Sequence, residues 1–154
     1  MKTLIIYTSI HHRNTEKIAK KMANILEAKL LTPDEADANT FNEYDLIGFG
    51  SGIYHSKFHE SLLNFIDKLP TLKNKKAFIF STSGGMQLPY VNNFNRAIKE
   101  KLTEKKFDLI GEFSCRGFNT YGPFRYIGGI SKGRPNEKDF KTAEEFAKHL
   151  KDII

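Results

Sequence analysis

Four short, nearly unbroken apolar runs constrain this chain more than any other feature: Leu4 to Tyr7, Asp45 to Gly50, Ala77 to Ser81 and Phe107 to Phe113. Their brevity suits strands, and their lack of polar alternation suits strands covered on both faces, as in a parallel sheet. Helical spacing fills the intervals. Ile18, Met22, Ile25 and Leu26 form one stripe; Phe58, Leu62, Phe65, Ile66 and Leu69 form a second that Pro70 ends. Val91, Phe94, Ile98 and Leu102 form a third stripe, and Phe140, Ala143, Ala147 and Leu150 a fourth. A weaker strand, Lys29 to Thr32, precedes Asp34. Strands alternating with helices imply right-handed crossovers. The expected fold is therefore α/β, a doubly wound five-stranded parallel sheet of order 2-1-3-4-5 between two helical layers. With 154 residues, the chain has room for one such domain.

Composition narrows the functional classes. Hydrophobic residues make up 40% of the chain, with thirteen Phe and six Tyr, which excludes a disordered polymer. No apolar run approaches the roughly 18 residues of a membrane span, so no membrane partner is expected. Met1, Lys2 and Thr3 lead directly into the first apolar run, without the pattern of an export signal. Cys115 is the single cysteine, so neither an internal disulfide nor a four-cysteine zinc site can form, and a cytoplasmic location is expected. The net charge of +6 favours acidic partners. No RNA or DNA motif accompanies that charge, and a nucleic-acid-binding module is the weaker reading.

In sheets of this kind, ligands bind beyond the carboxyl ends of the strands, beside the first and third. The first segment there reads TSIHHRNTEKIA, a polar loop opening into an amphipathic helix. Asn14 or Thr15 can cap that helix, whose free amides and dipole favour an anion. An ordinary capped turn would use the same residues; its place after the first strand favours the anion cradle. GxxxxGK[ST] and GxGxxG are both absent, which argues against a nucleoside triphosphatase and a dinucleotide fold. A two-component receiver would carry an acidic pair after the first strand and an Asp after the third. Tyr7, Thr8 and Ser9, then Ser51 and Gly52, stand there instead.

IIYTSIHHRNTEKIA resembles the FMN phosphate loop of flavodoxins, a hydroxyl-rich turn ending in Asn-Thr and an acidic residue. DLIGFGSGIY and FSTSGG resemble that family's second and third flavin loops. The first loop is one residue longer than in common flavodoxins, and Arg13 stands where glycine is usual. The resemblance implies FMN as cofactor and electron transfer as function. It assigns the phosphate to Ser9, Asn14, Thr15 and the backbone of Ile10, His11, His12 and Arg13, with Thr8 at the border. Ser51, Gly52, Ile53 and Tyr54 on one side, and Ser81, Thr82, Ser83, Gly84 and Gly85 on the other, would enclose the ring. Tyr54 would stack on it or border it. Redox protein partners, acidic ones given the charge, are implied.

Three features leave alternatives open. His11, His12, His55 and His59 fall at one edge of the expected fold, and His55 with His59 has i, i+4 spacing. They suit a metal site less than an anion site, because carboxylate ligands are missing from these loops. Cys115 reads as a small buried hydrophobe before it reads as a redox thiol. The stretch from Gly117 to Pro135 lacks periodicity but is rich in aromatic and basic residues, among them Tyr121, Phe124, Arg125 and Tyr126. A connection this long is a binding loop or lid, or a packed cover over the sheet edge. As a lid it would suit an FMN-dependent oxidoreductase of quinone or protoporphyrinogen type.

Overall fold

In the computed structural model, parity decides where each strand side chain goes. Leu4, Ile6, Ile47, Phe49, Ala77 and Ile79 pack on one face with Leu62, Ile66, Ile98 and Leu102. Ile5, Leu46, Phe78 and Phe80 pack on the other with Ile18, Met22, Ala143, Ala147 and Leu150. The unbroken apolar runs are thus strands buried on both faces, as parallel sheets require. The structure describes residues 1–10, 12–84, 94–118, 129 and 131–154. Among the expected positions, His11, Gly85, Val91, Tyr121, Phe124, Arg125 and Tyr126 lie outside them.

The element order is β1 (Thr3–Thr8), α1 (Asn14–Leu26), β2 (Lys29–Leu31), a 3₁₀ segment (Ala38–Glu43), β3 (Leu46–Tyr54), β4 (Lys57–Phe58), α2 (Glu60–Asp67), β5 (Lys76–Ser83), α3 (Arg96–Glu104), β6 (Asp108–Arg116) and α4 (Glu137–Ile153). The parallel strands run β2-β1-β3-β5-β6, which is the expected 2-1-3-4-5 order once β4 is set aside.

β4 is the unforeseen element. It pairs antiparallel with the end of β3, Ile53 opposite Phe58 and Tyr54 opposite Lys57. The two residues between, His55 and Ser56, have φ of 51° and 64°. Two successive positive φ values make the kind of turn that matches strand twist in a tight hairpin. Phe58, expected on the helical stripe, therefore sits in β4, still fully buried.

On the α1 and α4 face, glycines in β3 make room for phenylalanines in β5. A Cβ on Gly48 would lie 2.3 Å from Phe78 Cζ, and one on Gly50 would lie 2.0 Å from Phe80 Cζ. At the far end of the chain, α4 begins with a capping box between Asn136 and Asp139. Asp139 also receives Arg134 through two bonds of 2.5 and 2.6 Å. Burial alone would raise the Asp139 carboxyl, but Arg134 and the Asn136 amide outweigh it and hold it below its ordinary value.

Candidate functional site

At the carboxyl edge of the sheet, strand register lines up four hydroxyl residues. Thr8 of β1 pairs with Ser51 of β3, Ser51 with Ser81 of β5, and Ser81 with Ser114 of β6. One step further, Gly52, Thr82 and Cys115 are in register. Ser51 to Tyr54 and Ser81 to Ser83, read from sequence as loops after their strands, are thus strand residues. For β3 the cause is the hairpin with β4, which extends the pairing to Tyr54. Ser51 Oγ donates to the Gly52 carbonyl at 2.6 Å, and Ser81 Oγ is buried with no partner among the described residues. Ile53 is half-buried against the core on the α2 side. Tyr54 lies back over Gly52, where a Cβ would meet its hydroxyl at 2.9 Å.

The first loop connects this edge to α1. Neither Asn14 nor Thr15 caps the helix, contrary to the sequence expectation. The cap position is Arg13, with φ 54° and ψ 29° and no side-chain cap bond. The two expected caps are spent on tertiary contacts instead. Asn14 Nδ2 donates to the Phe118 carbonyl at 2.8 Å, and Thr15 Oγ1 lies 2.9 Å from Thr82 Oγ1 in a buried pair. Ser9 Oγ does the capping from outside, accepting the Glu16 amide at 3.2 Å. Asn14 Oδ1 is buried and has no partner among the described residues. Ile10 is exposed at the loop's outer side.

Arg13 occupies the left-handed region where the family resemblance has glycine, and His12 before it has φ 54° as well. A side chain in that region costs about 1–2 kcal/mol, against the extra chain entropy of glycine at roughly 0.5–1 kcal/mol. Arg13→Gly should therefore stabilise the fold by about 0.5–1 kcal/mol. That corresponds to a rise in melting temperature of roughly 1–4 °C, measurable by calorimetry. A fall would mean that the Arg13 to Glu16 ion pair, at 3.8 Å, outweighs the backbone strain.

The stretch after β6 is tied to this edge at both ends. The Gly117 amide donates to Ser83, the Phe118 amide to the Arg134 carbonyl at 2.8 Å, and Ser131 Oγ to the Gly84 carbonyl at 2.8 Å. His12 packs on the Phe118 ring at 4.5 Å between centroids. The described ends thus touch the first and third loops.

His55 stands in the hairpin turn and His59 caps α2, so their i, i+4 spacing does not put them on one helix. Among the described residues, no group of three or more His, Cys, Asp or Glu could hold a metal. Cys115 packs against the α1 and α4 core, and burial, with a further push from Asp139, raises its thiol to about 12. It stays protonated at neutral pH, which suits the apolar role read from sequence. Burial, then Glu16 and Glu35, likewise raises the Tyr7 phenol beside the first loop.

Sequence reasoning missed Ser61, whose hydroxyl lies 2.9 Å from Thr8 Oγ1, and the Thr15 to Thr82 pair. A signal for Ser61 was present in His-Glu-Ser at the start of a helix, where a cap and its second neighbour meet. Nothing local marks Thr82 as the partner of Thr15.

No described helix is long and apolar enough to cross a membrane. The chain is 50% identical to an uncharacterised protein of Methanocaldococcus jannaschii, over 97% of this chain and 98% of that one. Its fold is similar to that of oxidised flavodoxin 1 of Bacillus cereus, at a TM-score of 0.74 and 18% identity, covering 100% of this chain and 99% of the other. It is also similar to the two-electron reduced flavodoxin of Megasphaera elsdenii, at a TM-score of 0.65 and 19% identity over 95% and 98% of the two chains. Residues 4–117 match the flavodoxin domain, and the chain belongs to the flavodoxin family.

Proposed function

We propose that this protein binds FMN at the carboxyl edge of the sheet and serves as a cytoplasmic electron carrier. The observation that carries the reading is the start of α1. The helix opens without a side-chain cap from Arg13, and Asn14 Nδ2, which gives one hydrogen to the Phe118 carbonyl, has a second to offer an anion. Such a terminus favours a phosphate, through its amides and through its dipole. Ser9, Asn14, Thr15 and the backbone of residues 10–13 would hold that group. The buried Ser81 hydroxyl, without a partner among the described residues, fits a second polar edge, such as that of a flavin ring. Ser51 to Tyr54 and Ser81 to Gly85 would flank the ring, with Tyr54 as the aromatic border. Bound FMN supplies the redox chemistry; the protein orients it and limits its access to water.

An absorption spectrum of the purified protein, with mass spectrometry of the released compound, tests the cofactor. Titration tests the anchor: FMN should bind at least tenfold more tightly than riboflavin, since the loop holds the phosphate. Equal affinities would mean that the first loop is not the anchor. The net charge of +6 points to acidic redox partners. Association with an acidic redox protein should weaken steeply between low and physiological salt. A salt-independent rate of reduction by such a partner would remove charge from its recognition.

A second reading rests on the ties of Phe118 to Asn14 and of Ser131 to Gly84, which bring the two described ends of the long connection against the first and third loops. A segment held there favours a pocket over the ring, and with it an FMN-dependent oxidoreductase acting on quinones or a porphyrinogen. Steady turnover of a quinone with NAD(P)H would favour this enzyme over the carrier.

A further inference from the structure

The two edges of the sheet are unlike. At one, β2 is three residues long and carries Lys29, a short and charged edge of the kind that resists pairing with another chain. At the other, β6 runs nine residues without proline or lysine, and among the described residues it has one neighbouring strand, β5. Past the register shift at Ala77 and Phe78, its pairing with β5 is regular from Gly111 to Arg116. The Gly117 amide donates to the Ser83 carbonyl of β5. Backbone groups alternate in direction along a strand, so those of Phe113 and Cys115 also face β5, while those of Glu112, Ser114 and Arg116 face outward. The side chains of these three residues are exposed on the α3 side, where Lys99 holds Glu112 at 2.6 Å. Phe113 and Cys115 sit half-buried on the α4 side, with Phe146 against the Phe113 ring at 5.7 Å.

We propose that β6 pairs antiparallel with β6 of a second copy of this chain, about a two-fold axis at Ser114. Glu112 then stands opposite Arg116 of the second copy, Arg116 opposite its Glu112, and Ser114 opposite its own counterpart. On the other face, Phe113 meets Cys115 of the second copy. Opposite charges, paired hydroxyls and an aromatic ring beside a small apolar group all favour antiparallel neighbours. The outward N–H and C=O groups of Glu112, Ser114 and Arg116 fall in the hydrogen-bonded positions, so the backbone is satisfied along with the side chains. Register is set by the charges. Moving the axis one residue either way loses both charge pairs, and moving it two sets Glu112 against Glu112 or Arg116 against Arg116. The same charges that guard this edge against unrelated strands thus admit its own copy, in a closed, isologous contact. This inference stands apart from the reading of the FMN site.

Sedimentation equilibrium of the full-length protein tests it. At micromolar concentrations the wild-type chain should run at twice the chain mass, and a monomer throughout that range would overturn the proposal. Glu112→Arg and Arg116→Glu are changes at exposed positions, so each variant should stay folded while its dimer dissociation constant rises about tenfold or more. Mixed in equal amounts, the two variants should pair again, because every facing charge is then opposite. The double variant carrying both changes should likewise recover the dimer. Ser114→Pro removes an outward amide at the axis and no bond to β5, a change that an edge strand tolerates, and it should be a folded monomer. A dimer that survives the charge reversals would overturn the proposal. So would single variants that dissociate and fail to pair when mixed.

Discussion

Replacing Asn14 and Thr15 together by alanine should weaken FMN binding by about a hundredfold or more while the chain stays folded. Hydrogen bonds to a charged group contribute about 1.5–3 kcal/mol each, and a factor of ten in affinity is about 1.4 kcal/mol. Two such bonds lost, even without full additivity, reach two decades. The structural cost is separate and bounded. Thr15→Ala leaves the buried Thr82 hydroxyl without its 2.9 Å partner, and Asn14→Ala releases the Phe118 carbonyl. Unsatisfied groups of this kind cost about 1–3 kcal/mol each, against a typical stability of 5–15 kcal/mol. Urea melts and fluorescence titrations on the same samples separate the two effects. Thr15→Ser, which keeps the hydroxyl, should recover most of the stability. A folded double variant with undiminished affinity would move the phosphate away from this loop.

The largest effect on stability is expected from Gly50→Ala. The added Cβ would lie 2.0, 2.3 and 2.5 Å from three atoms of the Phe80 ring, which is fully buried. Overpacking typically costs about 1–3 kcal/mol and more in tight sites; an approach this close belongs at or above the top of that range. At roughly 2–4 °C per kcal/mol, the melting temperature should fall by about 6–12 °C. Phe80→Leu on its own should also destabilise, by opening a gap. In the Gly50→Ala background, however, it should restore part of the loss, because it removes the ring that the new methyl meets. Costs that simply add in the double variant would show that the backbone, rather than Phe80, absorbs the methyl.

The sheet order was legible because its cause is local: unbroken apolar runs, helical stripes and their alternation dictate buried parallel strands. β4 was not, because its turn is His55-Ser56 rather than the Asn-Gly that announces a tight hairpin. The end of β3 was short for the same reason, since Ile53 and Tyr54 look like a loop until β4 extends their pairing. At the site, the hydroxyl-rich loop and its place after β1 were readable. The tasks of its residues were not. Asn and Thr at a helix start are good caps by propensity, yet Phe118 and Thr82 claim their side chains, and both partners are far away in sequence. Arg13 was visible as a departure from glycine, and its left-handed backbone shows that the departure is in side chain and not in conformation.

The bond between Asn14 and Phe118 joins residues 104 apart. The first loop leaves the ribosome early, but the carbonyl that holds its asparagine emerges only after every strand of the sheet has been made. Residues 4–117 match the family, and Phe118 is the next residue along. A nascent chain halted just short of it can hold all its strands and still lack the contact that fixes Asn14. The earliest part of the candidate site to be synthesised is therefore among the last to be held in place.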